Sequence, residues 1–111
     1  MTKKDTLSEL EEVLLLAVMR LGPDSYGVTI RREIEARTGR DLSLGAIYPT
    51  LDRLEDNGLV SSWRGEPTGK RGGRSRRHFR LEPEGRAALL RSRELIAAMW
   101  EGFETESDVS R

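Results

Sequence analysis

Apolar positions along the chain fall into four runs with helical spacing and one with alternation. The first, TLSELEEVLLLAVMRLG, places Leu7, Leu10, Val13, Leu14, Leu15, Leu16, Ala17, Val18, Met19 and Leu21 on more than one face. Thr6 stands as its cap with Glu9 in capping-box position, and Gly22 with Pro23 ends it. A helix that apolar has to be covered on two sides. A short chain offers few elements for this, so a second subunit is expected to bury part of the surface.

The second run, SYGVTIRREIEARTG, has Ser25 as its expected cap and Gly39 as its end. Val28, Ile30, Ile34 and Ala36 form a narrow apolar stripe opposite a face of arginines and glutamates. The third, DLSLGAIYPTLDRLEDNGLV, has Ser43 as cap, Ile47, Leu51 and Leu54 at helical spacing, and Asn57-Gly58 as its stop. Pro49 cannot donate to the carbonyl of Gly45 and crowds it, a defect worth roughly 3 kcal/mol in a helix interior. A bent first turn or a late start is therefore expected, with the amino-terminal N–H groups facing outward.

The pattern then alternates, in LVSSWRGE and again in RSRRHFRLE, around a segment holding Gly65, Pro67, Gly69, Gly72 and Gly73. This predicts a β-hairpin with a long loop. On the return strand, alternation sets Arg76, His78 and Arg80 on one face and Arg77 and Phe79 on the other. A last helix is predicted from Pro83 to about Glu104, carrying Ala87, Ala88, Leu89, Leu95, Ile96, Ala98, Met99, Trp100 and Phe103. It too needs a partner.

Length and composition narrow the possibilities. A chain of 111 residues suits one core. With no cysteine and a single histidine, disulfides, thiol nucleophiles and most metal sites are excluded, and no cofactor is expected. No apolar run is long enough to cross a bilayer and the first residues lack a signal-peptide core, so a soluble, cytoplasmic protein without membrane contact is expected. The 19 basic and 19 acidic residues cancel overall but are unevenly spread. Residues 59–81 carry 7 basic and 1 acidic side chains, whereas residues 1–58 carry 8 and 11 and residues 82–111 carry 4 and 7. The excess positive charge is confined to the hairpin, as suits a local polyanion contact.

Three helices followed by a hairpin is the order of a winged helix-turn-helix, mainly α with a small β-hairpin. The expected layout is a winged helix-turn-helix DNA-binding domain over residues 1–82, a C-terminal dimerisation helix over 83–105 and a frayed tail over 106–111. The third helix would enter the major groove of double-stranded DNA with Ser43, Tyr48, Thr50 and Arg53 as candidate contacts. In the wing, Lys70, Arg71, Arg74 and Arg76 are the candidates for phosphate contact. Tyr48 has packing beside Ile47 and Leu51 as its competing role, and Arg53 has an ion pair with Glu33 or Glu35. His78 reads as a wing side chain rather than a ligand or pH switch.

The motifs GAIYPTLDRLEDNGLV and RRHFRLEPEGRAAL resemble the PadR family of bacterial transcriptional regulators, short-chain subgroup. The family runs from a Tyr-Pro recognition helix through R-L-E-x-x-G-L to a Y-R-L-T-x-x-G exit from the wing. LLLAVMRLGPDSYGVTIRREIE is similar to its first two helices, and the likeness covers about residues 7–90. Phe79 replaces the usual Tyr, and Pro83 stands where Thr is frequent. The resemblance implies a homodimeric repressor on a pseudo-palindromic operator, with the first and last helices forming the dimer. Leu10, Leu14, Val18, Leu89, Ile96, Met99, Trp100 and Phe103 are the expected interface residues. Since some members of the family bind flat aromatic compounds between subunits, Trp100 is a candidate ligand contact and a small aromatic effector a candidate partner; a plain dimer-core role for Trp100 is the competing reading.

Enzymatic activity is not expected. The sequence shows no Ser/His/Asp arrangement, carboxylate pair or phosphate loop. A winged helix serving protein association without DNA binding is the rival to a regulator.

Overall fold

The computed structural model describes residues 6–66 and 75–103. Helix α1 spans Glu9–Leu21, a 3-10 turn follows at Gly22–Asp24, and then come α2 (Gly27–Thr38) and α3 (Leu44–Asp56). Strands β1 (Val60–Arg64) and β2 (Arg77–Leu81) form an antiparallel pair, and α4 (Pro83–Trp100) closes the described chain. The expected winged order, mainly helical with one small hairpin, is the observed one.

The helix starts differ from the expected ones in instructive ways. Thr6 and Ser8 both have a glutamate three residues on, and Ser8 is the one used. Its hydroxyl accepts from the Glu11 N–H at 3.1 Å while the Glu11 carboxylate accepts from the Ser8 N–H at 2.8 Å. This box satisfies two orphan donors and buries Glu11. At α2 the cap is Tyr26 rather than Ser25. Thr29 accepts from the Tyr26 N–H at 3.0 Å and donates to the Asp24 carbonyl at 2.6 Å. Ser25 is fully buried, and its carbonyl receives the Phe79 N–H at 2.8 Å. The residue expected to cap a helix instead holds the wing.

Ser43 caps α3 as expected, accepting from the Ala46 N–H at 3.1 Å. The helix does not start late; it runs from Leu44 to Asp56 through Pro49. The carbonyl that Pro49 leaves unserved belongs to Gly45, in the first turn and exposed, where water can satisfy it. Asn57 caps the other end, and Gly58 turns the chain into β1 with φ of 78°.

Leu14, Leu15, Val18, Ile30, Ile34, Ile47, Leu51, Leu54, Val60 and Phe79 form one core between the three helices and the hairpin. Leu14 and Val18, expected at a subunit interface, are sealed inside the chain's own core, as is most of Leu89. An apolar helix at the centre of a three-helix unit meets its two covering layers largely within the subunit. Leu10 is half-buried against that core.

Helix α4 begins with Pro83 in its first turn and packs Gly85, Ala88 and Leu89 on the body. Beyond Leu89 it loses that support: Leu95, Ile96, Met99, Trp100 and, past the helix end, Phe103 are all exposed, Met99 at 77 %. The helix stops at Trp100, short of the expected Glu104, and the backbone turns at Gly102 with φ of 90°.

Candidate nucleic-acid interface

The strand register sets the chemistry of the wing. Trp63 pairs with His78 and Arg64 with Arg77. The Trp63 and His78 rings stack at 5.3 Å and 21°, and Tyr26 meets the other side of His78 edge-on, also at 5.3 Å. A bridge between Tyr26 and His78, and a 3.0 Å contact from His78 Nδ1 to the Pro23 carbonyl, attach the return strand to the turn before α2. Arg76 lies over the Tyr26 ring at 4.7 Å and Arg80 over Trp63 at 5.4 Å, cation–π placements that leave their charges at the surface. The alternation expected for Arg76 to Arg80 is the one found.

Arg77 points the other way, toward α3. It pairs with Asp52 at 2.9 Å and Glu55 at 2.6 Å, and its Nε donates to the Ser62 hydroxyl at 3.3 Å. Burial alone would lower the pKa of this guanidinium. The hydrogen bonds and charges of Asp52 and Glu55 more than offset that and raise it.

On α3, Ser43 and Arg53 are exposed and Tyr48 is half-buried. The Tyr48 ring packs on Gly27 of α2, and the residue also lines the outer cleft described below. Arg53 does not pair with Glu33, which is held by Arg37 at 2.7 Å and Arg20 at 3.1 Å. These arginines, Arg37 foremost, keep the Glu33 carboxyl below its ordinary value. Thr50 departs from its expected role: it is buried, and its hydroxyl donates to the Ala46 carbonyl at 3.0 Å. Lying between Ile47 and Leu51 on the inward face, it cannot reach a ligand outside. Lys70, Arg71 and Arg74 lie outside the described residues.

Together Tyr26, Val28, Tyr48, Arg64, Ser75, Arg76 and Arg77 line a cleft of about 370 Å³ between α2, α3 and the wing. Arg64 donates to the Ser75 carbonyl at 3.2 Å across its mouth. Tyr26 and Arg64 were not among the sequence candidates. Arg64 stands in the alternating run LVSSWRGE that predicted the first strand, and no local pattern marked Tyr26.

A second hollow, of about 610 Å³, runs between α1 and α4. Leu16, Met19, Ile96 and Trp100 supply its apolar wall, with Glu12, Arg86 and Arg93 also lining it. Trp100 therefore does face a hollow, half-exposed in the single subunit.

A helix-turn-helix with an aromatic-pinned basic wing beside its third helix defines the winged helix-turn-helix class. Residues 15–91 match the transcriptional regulator PadR-like family, and the chain belongs to that family, whose members are regulators rather than enzymes. It is 39 % identical over 71 residues to the transcriptional regulator Rv3488 of Mycobacterium tuberculosis, covering 64 % of this chain. The match takes in 62 % of that relative, so the chain spans about three fifths of its length. A PadR family regulator from Clostridium difficile R20291 shares the fold with a TM-score of 0.69 at 22 % identity, over 88 % of this chain and 100 % of that one. A PadR-like transcription factor from Bacteroides fragilis superposes with a TM-score of 0.65 at 30 % identity, over 90 % and 88 % of the two chains.

Proposed function

We propose that the protein is a homodimeric repressor that binds a pseudo-palindromic operator, α3 in the major groove and the wing along the flanking backbone. The observation that carries this reading is the convergence of the exposed face of α3, the tyrosine- and arginine-lined cleft and the basic hairpin on one side of the subunit. Ser43, Tyr48 and Arg53 contact the groove and its rim. Arg76 exchanges for counterions on the phosphates, and Lys70, Arg71 and Arg74, outside the described residues, are assigned the same role from the sequence. Dimerisation uses the exposed half of α4 and the outer face of α1: Leu16, Met19, Ile96, Met99, Trp100 and Phe103 are apolar side chains that one subunit leaves in water. A flat aromatic effector seated against Trp100 would release the DNA by changing the angle between subunits.

Fluorescence anisotropy with the DNA upstream of the protein's own gene, against a scrambled duplex, tests the reading. Sequence-selective binding that weakens steeply with salt is expected, and indifference to DNA would favour a protein-association module. Replacing Lys70, Arg71 and Arg74 together by Ala should lower affinity and flatten the salt dependence; unchanged affinity removes the wing from the interface. Transcription in vitro should fall when the protein is added, and a rise would make it an activator. In a Trp63→Phe background, planar aromatic compounds should quench Trp100 fluorescence, and no quenching discards the effector.

A further inference from the structure

Asp52 and Glu55 are out of place on a helix that reads DNA. Asp52 lies one helical turn after Tyr48, and Glu55 three residues further, so both continue the strip of α3 that Tyr48 begins. Their side chains are 55 % and 33 % exposed, so their charges are open to an approaching polyanion. Left alone, two carboxylates on that strip would repel phosphate.

Arg77 meets both. Its Nη1 donates to Asp52, its Nη2 to Glu55 and its Nε to Ser62, while Ser62 donates to the Glu55 carboxylate at 2.9 Å. The guanidinium also covers the Phe79 ring at 4.8 Å. Three of its five N–H donors, one on each nitrogen, are thus committed within the protein, in the planar fork that arginine offers and lysine does not. Arg76 and Arg80, its neighbours in alternation, lie instead over surface aromatics.

We infer that Arg77 is a positioning residue for DNA binding, which neutralises Asp52 and Glu55 on the reading helix rather than contacting DNA itself. This rests on the DNA-binding reading above. A basic side chain in a basic wing would ordinarily be assigned to a phosphate, and the two roles predict opposite results when the carboxylates are removed. If Arg77 touches DNA, its loss costs about the same affinity whether or not Asp52 and Glu55 are present. If it masks them, their removal makes it dispensable.

The test uses the whole chain and the labelled duplex from upstream of its own gene, with four proteins: wild type, R77Q, D52N/E55Q and the triple variant. R77Q should bind about tenfold more weakly at low salt, and the triple variant within about threefold of wild type. D52N/E55Q, which keeps Arg77 and frees its charge, should bind at least as tightly as wild type and with a steeper salt dependence. That variant decides the matter if R77Q does not fold, as thermal unfolding of each protein will tell. R77Q binding like wild type overturns the inference, and so does a loss that the triple variant does not recover. Weaker binding by D52N/E55Q than by wild type also overturns it. Wild type that binds no DNA is a separate result and overturns the DNA-binding reading itself.

Discussion

The hydroxyl of Tyr48 rests directly over the α-carbon of Gly27, closer than any β-carbon there would allow. Glycine at the start of α2 thus lets α3 lie against its neighbour, and the aromatic ring of α3 is held in place by the residue it covers.

Replacing Gly27 by Ala should push the Tyr48 ring outward at a cost of about 1–3 kcal/mol. Chemical denaturation would measure that loss, and DNA affinity should fall with it. In a Tyr48→Ala background the same substitution should cost much less, because its collision partner is gone. Equal costs in both backgrounds would show that the contact does not couple the two helices.

Phe79 is fully buried at the point where the wing, α1 and α3 meet. Phe79→Ala should remove about 3–5 kcal/mol, enough to unfold much of a domain of ordinary stability. Phe79→Tyr brings in the residue usual in this family, whose hydroxyl would enter a fully buried site. A urea titration of both variants would show whether this core has room and a partner for it.

Glu33 gives stability a dependence on acid. Hydrogen bonds from Arg37 and then Arg20 hold its folded-state pKa below the ordinary value of 4.5. A carboxyl depressed on folding contributes fully above its unfolded pKa, and the contribution is lost as the pH falls through the folded value. The thermal midpoint of wild type should therefore drop more than that of Glu33→Gln as pH is lowered from 6 to 3. The difference should be small and shrink in salt, because the pairs are at the surface. Parallel curves would show that this network adds nothing.

Ile96 sits in the hollow between α1 and α4, nearly half-exposed. Ile96→Glu should convert the expected dimer to monomer in light scattering, with little effect on folding, since the side chain leaves no core position. Its DNA affinity should fall sharply, two half-sites no longer being bound together. A variant that remains dimeric would place the interface elsewhere.

What the sequence announced and what it concealed follow one division. Periodicity located the four α-helices and two strands of the described residues, because apolar spacing is a property of single segments. It could not separate the sides of α3 finely enough to see that Thr50 turns inward, one residue from Leu51. It put the cap of α1 at Thr6, whereas Ser8, with the same spacing to a glutamate, is the residue used, and its partner Glu11 is the carboxylate the fold buries. Ser25 and Arg77 were misjudged or overlooked for a common reason. Their partners, Phe79 in one case and Asp52 and Glu55 in the other, are more than 20 residues away, and local pattern carries no information about them. Leu14 and Val18 were assigned to a neighbouring subunit because an apolar helix announces that it must be covered without saying by what.

Gly85 of α4 packs against the carbonyl of Leu59, which also accepts the Glu82 N–H at 3.0 Å. Leu59 is the residue that leads into β1, so the start of α4 is fastened to the root of the hairpin. The exposed end of the helix at Trp100 lies about four turns further on. One backbone carbonyl thus ties together the helix that carries the uncovered apolar side chains and the hairpin that carries Arg64, Arg76 and Arg80.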